Sequence, residues 1–261
     1  MLAACRAGET PWRTRTLQPR ALTIMCQSSE SLMAMEVIKL KIKNYGVGCE
    51  VALYVKDRFV DLLKKLPSFK KKDYQLALKE AFIKIDEQLQ SPQGKKDILQ
   101  YRVKEDNPSV FGRPETDDIS LFTGCTACVI LISETEIICA NSGDSRCVLS
   151  NSGKAIEMSI DHKPDLSTEK ARIEKAGGFV EDNRVKGVLN LSRSLGDLEY
   201  KGDKNLTVEN QMITCVPEIK IEKLKPSHDF IVIACDGIWD CLTSQECITM
   251  TRDYLNGAGK S

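Results

Sequence analysis

Four aspartates carry the chemical interest of this chain: Asp144 in Asn141-Ser-Gly-Asp144-Ser-Arg146, Asp197 in Ser192-Arg-Ser-Leu-Gly-Asp197, and Asp236 with Asp240 in Cys235-Asp-Gly-Ile-Trp-Asp240. Each sits where a strand ends or in the turn that follows. The clearest case is Phe230 to Ala234, a continuous apolar run of strand length, which reads as a strand buried on both faces. Asp236 lies where that strand leaves the core, and Gly237 permits the tight turn behind it. No Lys or Arg stands between Asp229 and Arg252. An acid leaving a buried strand is costly unless something positive meets it, and a bound cation is one answer. The other is that Asp236 caps the next helix. Carboxylates gathered at one end of a sheet, with no histidine inside the motifs, suit Mg²⁺ or Mn²⁺ better than zinc. The matching chemistry is attack on phosphorus by a metal-bound water. Gly-Asp alone is also ordinary turn chemistry, so the inference rests on the set.

The elements that must hold these acids follow from periodicity. From Glu50, Val51, Tyr54, Val55, Phe59, Leu62, Leu63 and Leu66 recur at three- and four-residue steps until Pro67, the pattern of an amphipathic helix and its stop. A second helix is expected from an Asp73 N-cap, with Leu78, Phe82, Ile85 and Leu89 on one stripe. The lysines at 64–65 and 70–72 read as solvated helix ends. Residues 91–119 carry Pro, Gly and mixed charge without period and read as a long loop. Strands are expected at 126–132, 136–140 and 146–149, with a fourth after Asn151-Ser-Gly153. A short helix from Ser167 ends at Gly177-Gly178. Further strands are expected as a hairpin around Asn183, at 212–216 and at 230–234, before a last helix over 243–255. Strands in quick succession with helices before and after predict an α+β fold, an antiparallel sheet covered by helices.

Composition narrows the function. Lys plus Arg and Asp plus Glu both number 37, so the overall balance points to neither nucleic acid nor membrane. No apolar stretch approaches the ~20 residues of a bilayer span. Eleven cysteines, an odd number, and no secretory signal favour a reducing compartment. Cys125-Thr-Ala-Cys128 has redox or zinc spacing, but no second pair answers it, and core packing is the better reading. Residues 1–44 scatter Arg6, Arg13, Arg15 and Arg20 among Ser, Thr and Ala, with Glu9 the lone acid before Glu30. They read as a divergent, disordered leader, with the structured domain over 45–261. A cytoplasmic monomer is expected; an organelle-targeting (mitochondrial) leader is the alternative, weakened by Pro11 and Pro19.

The chain resembles the metal-dependent serine/threonine protein phosphatases of the type 2C (PPM) family. The matching stretches, in the family's order, are Thr123-Gly-Cys-Thr-Ala127, Ala140-Asn-Ser-Gly-Asp-Ser-Arg146, Asp161-His-Lys-Pro164 and Glu169-Lys-Ala-Arg-Ile-Glu-Lys-Ala-Gly-Gly178. Leu191-Ser-Arg-Ser-Leu-Gly-Asp197, Val216-Pro-Glu-Ile219 and Cys235-Asp-Gly-Ile-Trp-Asp240 complete the series. The resemblance implies a β-sandwich flanked by antiparallel helices, a two-metal centre of Mg²⁺ or Mn²⁺ at one end, and phosphoprotein substrates. It assigns Asp236 to the metal pair, and Asp144 with Asp240 to a third, weaker metal. The departures are as informative. The family's Arg-x-x-Met-Glu-Asp segment is only faintly echoed by Met33-Ala-Met-Glu36. Its Asp-Gly-His-Gly-Gly turn is replaced by Tyr45-Gly-Val47 running into Gly48-Cys-Glu-Val-Ala52. Its last Asp-Asn segment is not reached by Ser261. The fold is therefore expected to be incomplete at both ends, with bare sheet edges. Of the acids that the family places on its metal pair only Asp236 is expected to survive; with Asp144 and Asp240 it is enough for a single weakly held Mg²⁺ or Mn²⁺ and too few carboxylates for a catalytic pair. Impaired hydrolysis of phosphoserine and phosphothreonine is expected; a phosphoprotein-binding pseudophosphatase and an inactive fragment are the alternatives.

Overall fold

In the computed structural model, residues 12–17, 22–27, 37–45, 49–101 and 119–257 are described. The strands are β1 (Trp12–Leu17), β2 (Leu22–Gln27), β3 (Val37–Tyr45), β4 (Gly124–Ile132), β5 (Glu136–Ser142), β6 (Arg146–Asn151), β7 (Lys154–Glu157), β8 (Val180–Glu181), β9 (Arg184–Val185), β10 (Leu195–Gly196), β11 (Glu218–Lys223) and β12 (His228–Ala234). The helices are α1 (Glu50–Lys65), α2 (Pro67–Lys70), α3 (Tyr74–Gln90), α4 (Pro92–Ile98), α5 (Ile119–Phe122), α6 (Ser167–Lys175), α7 (Asp236–Trp239) and α8 (Ser244–Gly257).

Two sheets, ordered β1-β2-β12-β6-β7 and β10-β4-β5-β11 with β3 also on β4, make the sandwich, and every named pairing is antiparallel. The period of two along each strand sorts the apolar residues into layers. Cys128, Ile130, Ile132, Ile137 and Cys139 face Cys147, Leu149, Ile231 and Ile233 between the sheets. The opposite face of β4 and β5 (Ala127, Val129, Leu131, Ile138, Ala140) packs on α1 and α3 through Val55, Phe59, Leu78 and Phe82. The opposite face of the other sheet (Val148, Phe230, Val232, Ala234) packs on Trp239, Cys247 and Ile248. Helix, sheet, sheet, helix: this is why all nine residues of β4 are buried, and why its one hydroxyl side chain, Thr126, is paired inside with Ser145. The cysteines that read as core residues are core residues; Cys128 Sγ and Cys139 Sγ lie 3.8 Å apart in the sandwich interior.

The α+β sandwich and the two long helices match the expectation, and Asp73 caps α3 by accepting from the Leu76 N–H at 3.2 Å. Four expectations change. Residues 91–101 are not loop: α4 starts on a Ser91 cap whose Oγ accepts from the Gly94 N–H at 3.0 Å, and a 3₁₀ turn follows at Leu99–Tyr101. The remainder of that stretch, 102–118, lies outside the described residues. The apolar run at 212–216 is buried but is no strand, because its only ladder contact is an isolated bridge from Thr214 to Arg193; burial supplied the pattern, and no neighbouring strand was available to pair it. Two strands went unseen: two-residue β10, too short to carry a period, and β11, whose Glu-Ile-Lys-Ile-Glu-Lys sequence suits the solvated edge it forms.

The fourth change concerns the leader. β1, β2 and part of β3 fall inside residues 1–44. β2 pairs with β12 from Cys26↔Phe230 to Leu22↔Ala234, and β3 runs along β4 from Val37↔Ile132 to Tyr45↔Gly124. Backbone N–H and C=O groups on a strand edge need partners, and this segment provides them, so the edges of β12 and β4 are not bare. The echo at residues 33–36 and the turn at 46–48 lie outside the described residues.

Candidate active site

Asp144 hangs on the turn after β5. Gly143 there has φ +119°, and a Cβ would meet Thr126 Cγ2 at 2.3 Å, so only glycine fits. The loop at 160–163 is stitched to this turn. Asn141 Nδ2 donates to the Gly143 and Ile160 carbonyls, both at 3.0 Å. The His162 N–H donates to the Gly143 carbonyl at 3.0 Å, and the Gly143 N–H donates to His162 Nδ1 at 3.2 Å. His162 is thereby a scaffold for the strand exit, and the residue after it is delivered to Asp144. Lys163 Nζ stands on Asp144 Oδ2. Asp144 is fully buried. Burial alone would lower the Lys163 pKa, but the hydrogen bond to Asp144 and the charges of Asp144, Asp236 and Asp161 together hold it above the usual lysine value.

Asp236 opens α7 as its first residue, with Cys235 at the cap position. It does not cap the helix; it places an acid in the first turn, where the helix dipole favours one. Trp239 Nε1 donates back to the Ala234 carbonyl at 2.9 Å and fixes this turn against β12. Asp240 is exposed at the C-cap. Its cationic neighbour is Arg146, whose guanidinium forks onto Asp161 at 2.9 and 2.7 Å and lies 5.3 Å from the Trp239 ring centre. A shallow cleft of about 390 Å³ beside Asp240 is lined by Arg146, Glu157, Trp239, Ser244 and Glu246.

The cation that the local sequence lacks is supplied from far upstream, by Lys163 toward Asp144 and Asp236 and by Arg146 toward Asp240. Mg²⁺ and Mn²⁺ want several oxygen ligands each, and a two-metal centre wants carboxylates shared between the ions. Among the described residues no group of three or more His, Cys, Asp or Glu side chains is arranged to hold a metal ion. Asp144, Asp236 and Asp240 come to one end of the sandwich, and the buried Asp144 already faces an ammonium. By themselves, the described acids fall short of the carboxylate set of a two-metal centre.

Two buried networks brace the site, and sequence reasoning missed their partners. Glu169 on α6 is buried and accepts from Arg193 Nη2, Arg172 Nη1 and Ser192 Oγ, each at 2.6 Å. Burial would raise its pKa, yet the Arg193 hydrogen bonds and the two arginine charges bring it down to about 2. The spacing Glu169-x-x-Arg172 was a legible i,i+3 pair; Arg193 was not, since it arrives from another loop.

The second network joins α3 to β10. Asp86 accepts from the Gly196 N–H at 2.8 Å and from Lys201 Nζ at 3.0 Å. Asp197, left-handed at φ 49°, accepts from Ser194 Oγ at 2.6 Å. Burial raises the Asp197 pKa to about 6, against the hydrogen bond from Ser194 and the charge of Lys201. The folded protein thus holds the Asp197 proton more tightly than an unfolded chain does, at a pKa near 3.9. The stability this gives is complete below pH ~4 and is lost as pH rises through ~6. Asp197→Asn keeps an acceptor for Ser194 and tolerates the left-handed backbone. It is expected to match the parent protein at pH 4 and to exceed it by about 2 kcal/mol at pH 8, measured by urea unfolding at both values.

Comparison with known proteins places this architecture. The family described as Protein phosphatase 2C matches residues 20–260. Protein phosphatase 2C 1 of Paramecium tetraurelia is 44% identical over 211 residues, 81% of this chain and 66% of that protein. Protein phosphatase 2C homolog 2 of Schizosaccharomyces pombe is 41% identical over 206 residues, 78% of this chain and 50% of that protein. The chain thus spans at most about two thirds of the length of these curated relatives. Among solved structures, a serine-threonine phosphatase 2C from Toxoplasma gondii shares the fold with TM-score 0.62 at 15% identity, over 89% of this chain and 78% of that one. With a family match across nearly the whole length and relatives above 40% identity, the chain belongs to the protein phosphatase 2C family of metal-dependent serine/threonine phosphatases, which use Mg²⁺ or Mn²⁺.

Proposed function

We propose that this chain is a protein phosphatase 2C domain that engages phosphoserine and phosphothreonine proteins but hydrolyses them poorly. One observation carries the reading: the Lys163 ammonium sits on the buried Asp144 carboxylate and within electrostatic reach of Asp236. That is where a family member would be expected to place divalent cations. One positive charge already balances part of the anionic set, and among the described residues no three of its carboxylates are grouped to hold a metal ion. Each further ion would have to displace the lysine and find oxygen ligands elsewhere. Loss of a single supporting partner commonly costs ~10–100-fold in metal affinity or activity, and the lysine on Asp144 acts in the same direction. What remains available is recognition: Arg146, the cleft beside Asp240, and the braced 160–163 loop.

The test is hydrolysis of an aryl phosphate by the purified chain with excess Mn²⁺. The expected result is a rate indistinguishable from buffer, together with retention of a phosphoserine protein on the immobilised chain. Robust Mn²⁺-dependent turnover that disappears in Asp236→Asn would overturn the proposal.

A further inference from the structure

At the end of the helical layer farthest from the acids lies a feature that phosphatase chemistry does not use. Lys64 and Lys65 end α1, and Lys70, Lys71 and Lys72 follow within one short turn of α2; all five are exposed. The turn is tight and ordered: the Lys70 and Lys71 N–H groups donate to the Leu66 and Pro67 carbonyls, and the Asp73 N–H donates to the Ser68 carbonyl. The nearby acids are partly engaged inward, Asp73 capping α3 and Glu80 accepting from Ser68 Oγ at 2.6 Å. Asp61 is the remaining exposed acid on this corner. Leu76, in the first turn of α3 beside the lysines, keeps 46% of its surface in solvent.

Lysines at a helix C-terminus complement its dipole, which accounts for Lys64 and Lys65. It does not account for three more on the following turn in a chain whose total charge is zero. This interhelical turn gathers five exposed ammonium groups and the half-exposed Leu76 along one short stretch, a pairing of charge and apolar contact that suits the face of an anionic bilayer. Its position is also suited to that. The first turn of α1 packs beside Thr123 and Gly196, near the site end of β4 (a Cβ on Gly196 would meet Val51 Cγ1 at 3.2 Å). The 16 residues of α1 then carry the chain about 24 Å away. Contact through the lysines leaves the acids facing solvent.

We propose that the Lys64–Lys72 corner is a docking surface for an anionic lipid bilayer, held by the five lysines and aided by Leu76 at the interface. The inference does not depend on catalytic competence. Attraction of a basic side chain to an anionic leaflet strengthens binding by about fivefold per residue and fades with salt.

The experiment is co-sedimentation of the full chain with vesicles of phosphatidylcholine alone or with phosphatidylserine added. Binding is expected only with phosphatidylserine, weakening at least about tenfold in Lys70→Glu/Lys71→Glu/Lys72→Glu and on raising the salt. The melting temperature of the variant, expected to be unchanged, separates lost docking from lost folding; if it falls, the salt and lipid dependence of the parent chain decide. Equal sedimentation with both vesicles, or none with either, overturns the proposal. Binding to poly-glutamate without binding to vesicles overturns it in favour of an acidic protein partner.

Discussion

Glu169→Gln is expected to destabilise the protein by about 3–5 kcal/mol at neutral pH, the range for removing one partner of a buried ion pair. The carboxylate is buried at the meeting point of Arg172 and Arg193, whose side chains are themselves only 12% and 19% exposed. Glutamine can accept hydrogen bonds but leaves two guanidinium charges in a low-dielectric interior without a counter-charge. Arg172 also donates to the Ser192 and Gln211 carbonyls, and Arg193 to that of Val216, so the loss spreads through the excursion between β7 and β11. Acid should reproduce the effect. Because the folded pKa of Glu169 is depressed to about 2, its contribution is fully present above pH ~4.5 and is lost as pH falls toward 2. Urea unfolding at pH 7 and at pH 3 checks both: the gap between parent and variant should narrow at the lower pH. A variant within 1 kcal/mol of the parent at pH 7 would show the cluster to be solvated and slack.

The second large effect concerns Lys163→Met. Asp144 would keep its burial and lose its lysine, at a cost of about 2–3 kcal/mol. That is below the range for fully buried pairs because the Lys163 side chain is 36% exposed. The variant is expected to respond to divalent ions more strongly than the parent. Mn²⁺ that binds the folded state alone at 100 times its Kd adds about 2.7 kcal/mol, so the melting temperature of Lys163→Met should rise with Mn²⁺ while that of the parent stays nearly level. An equal response in both proteins would mean the lysine does not stand in the ion's way.

How much of this was legible follows from where each signal sits. Strand β12 and helices α1 and α3 were readable because burial on one or two faces leaves a period in the sequence. So was the turn at Gly143-Asp144, whose glycine answers a steric demand. Lys163 was not readable as a counter-ion. Nothing within Phe230 to Asp240 announces a lysine far upstream; the His162–Gly143 and Asn141–Ile160 hydrogen bonds bring it there. The same holds for Lys201 with Asp86, 115 positions apart. Pattern reading registers what a segment needs locally; it is silent on which distant loop answers. The strands within residues 12–45 were misjudged for a related reason: scattered arginines and prolines masked segments whose order comes from pairing onto β12 and β4 rather than from their own composition.

The claim on which the account depends is that this end of the sandwich balances its acids with a lysine and so cannot cage two divalent ions. Titration of Mn²⁺ into the full chain, followed by electron paramagnetic resonance, measures it most directly. The account predicts fewer than two bound ions per chain and no magnetically coupled pair. Two tightly bound, coupled ions at the roughly 3.5–4 Å spacing of a catalytic pair, lost in Asp236→Asn, would contradict it.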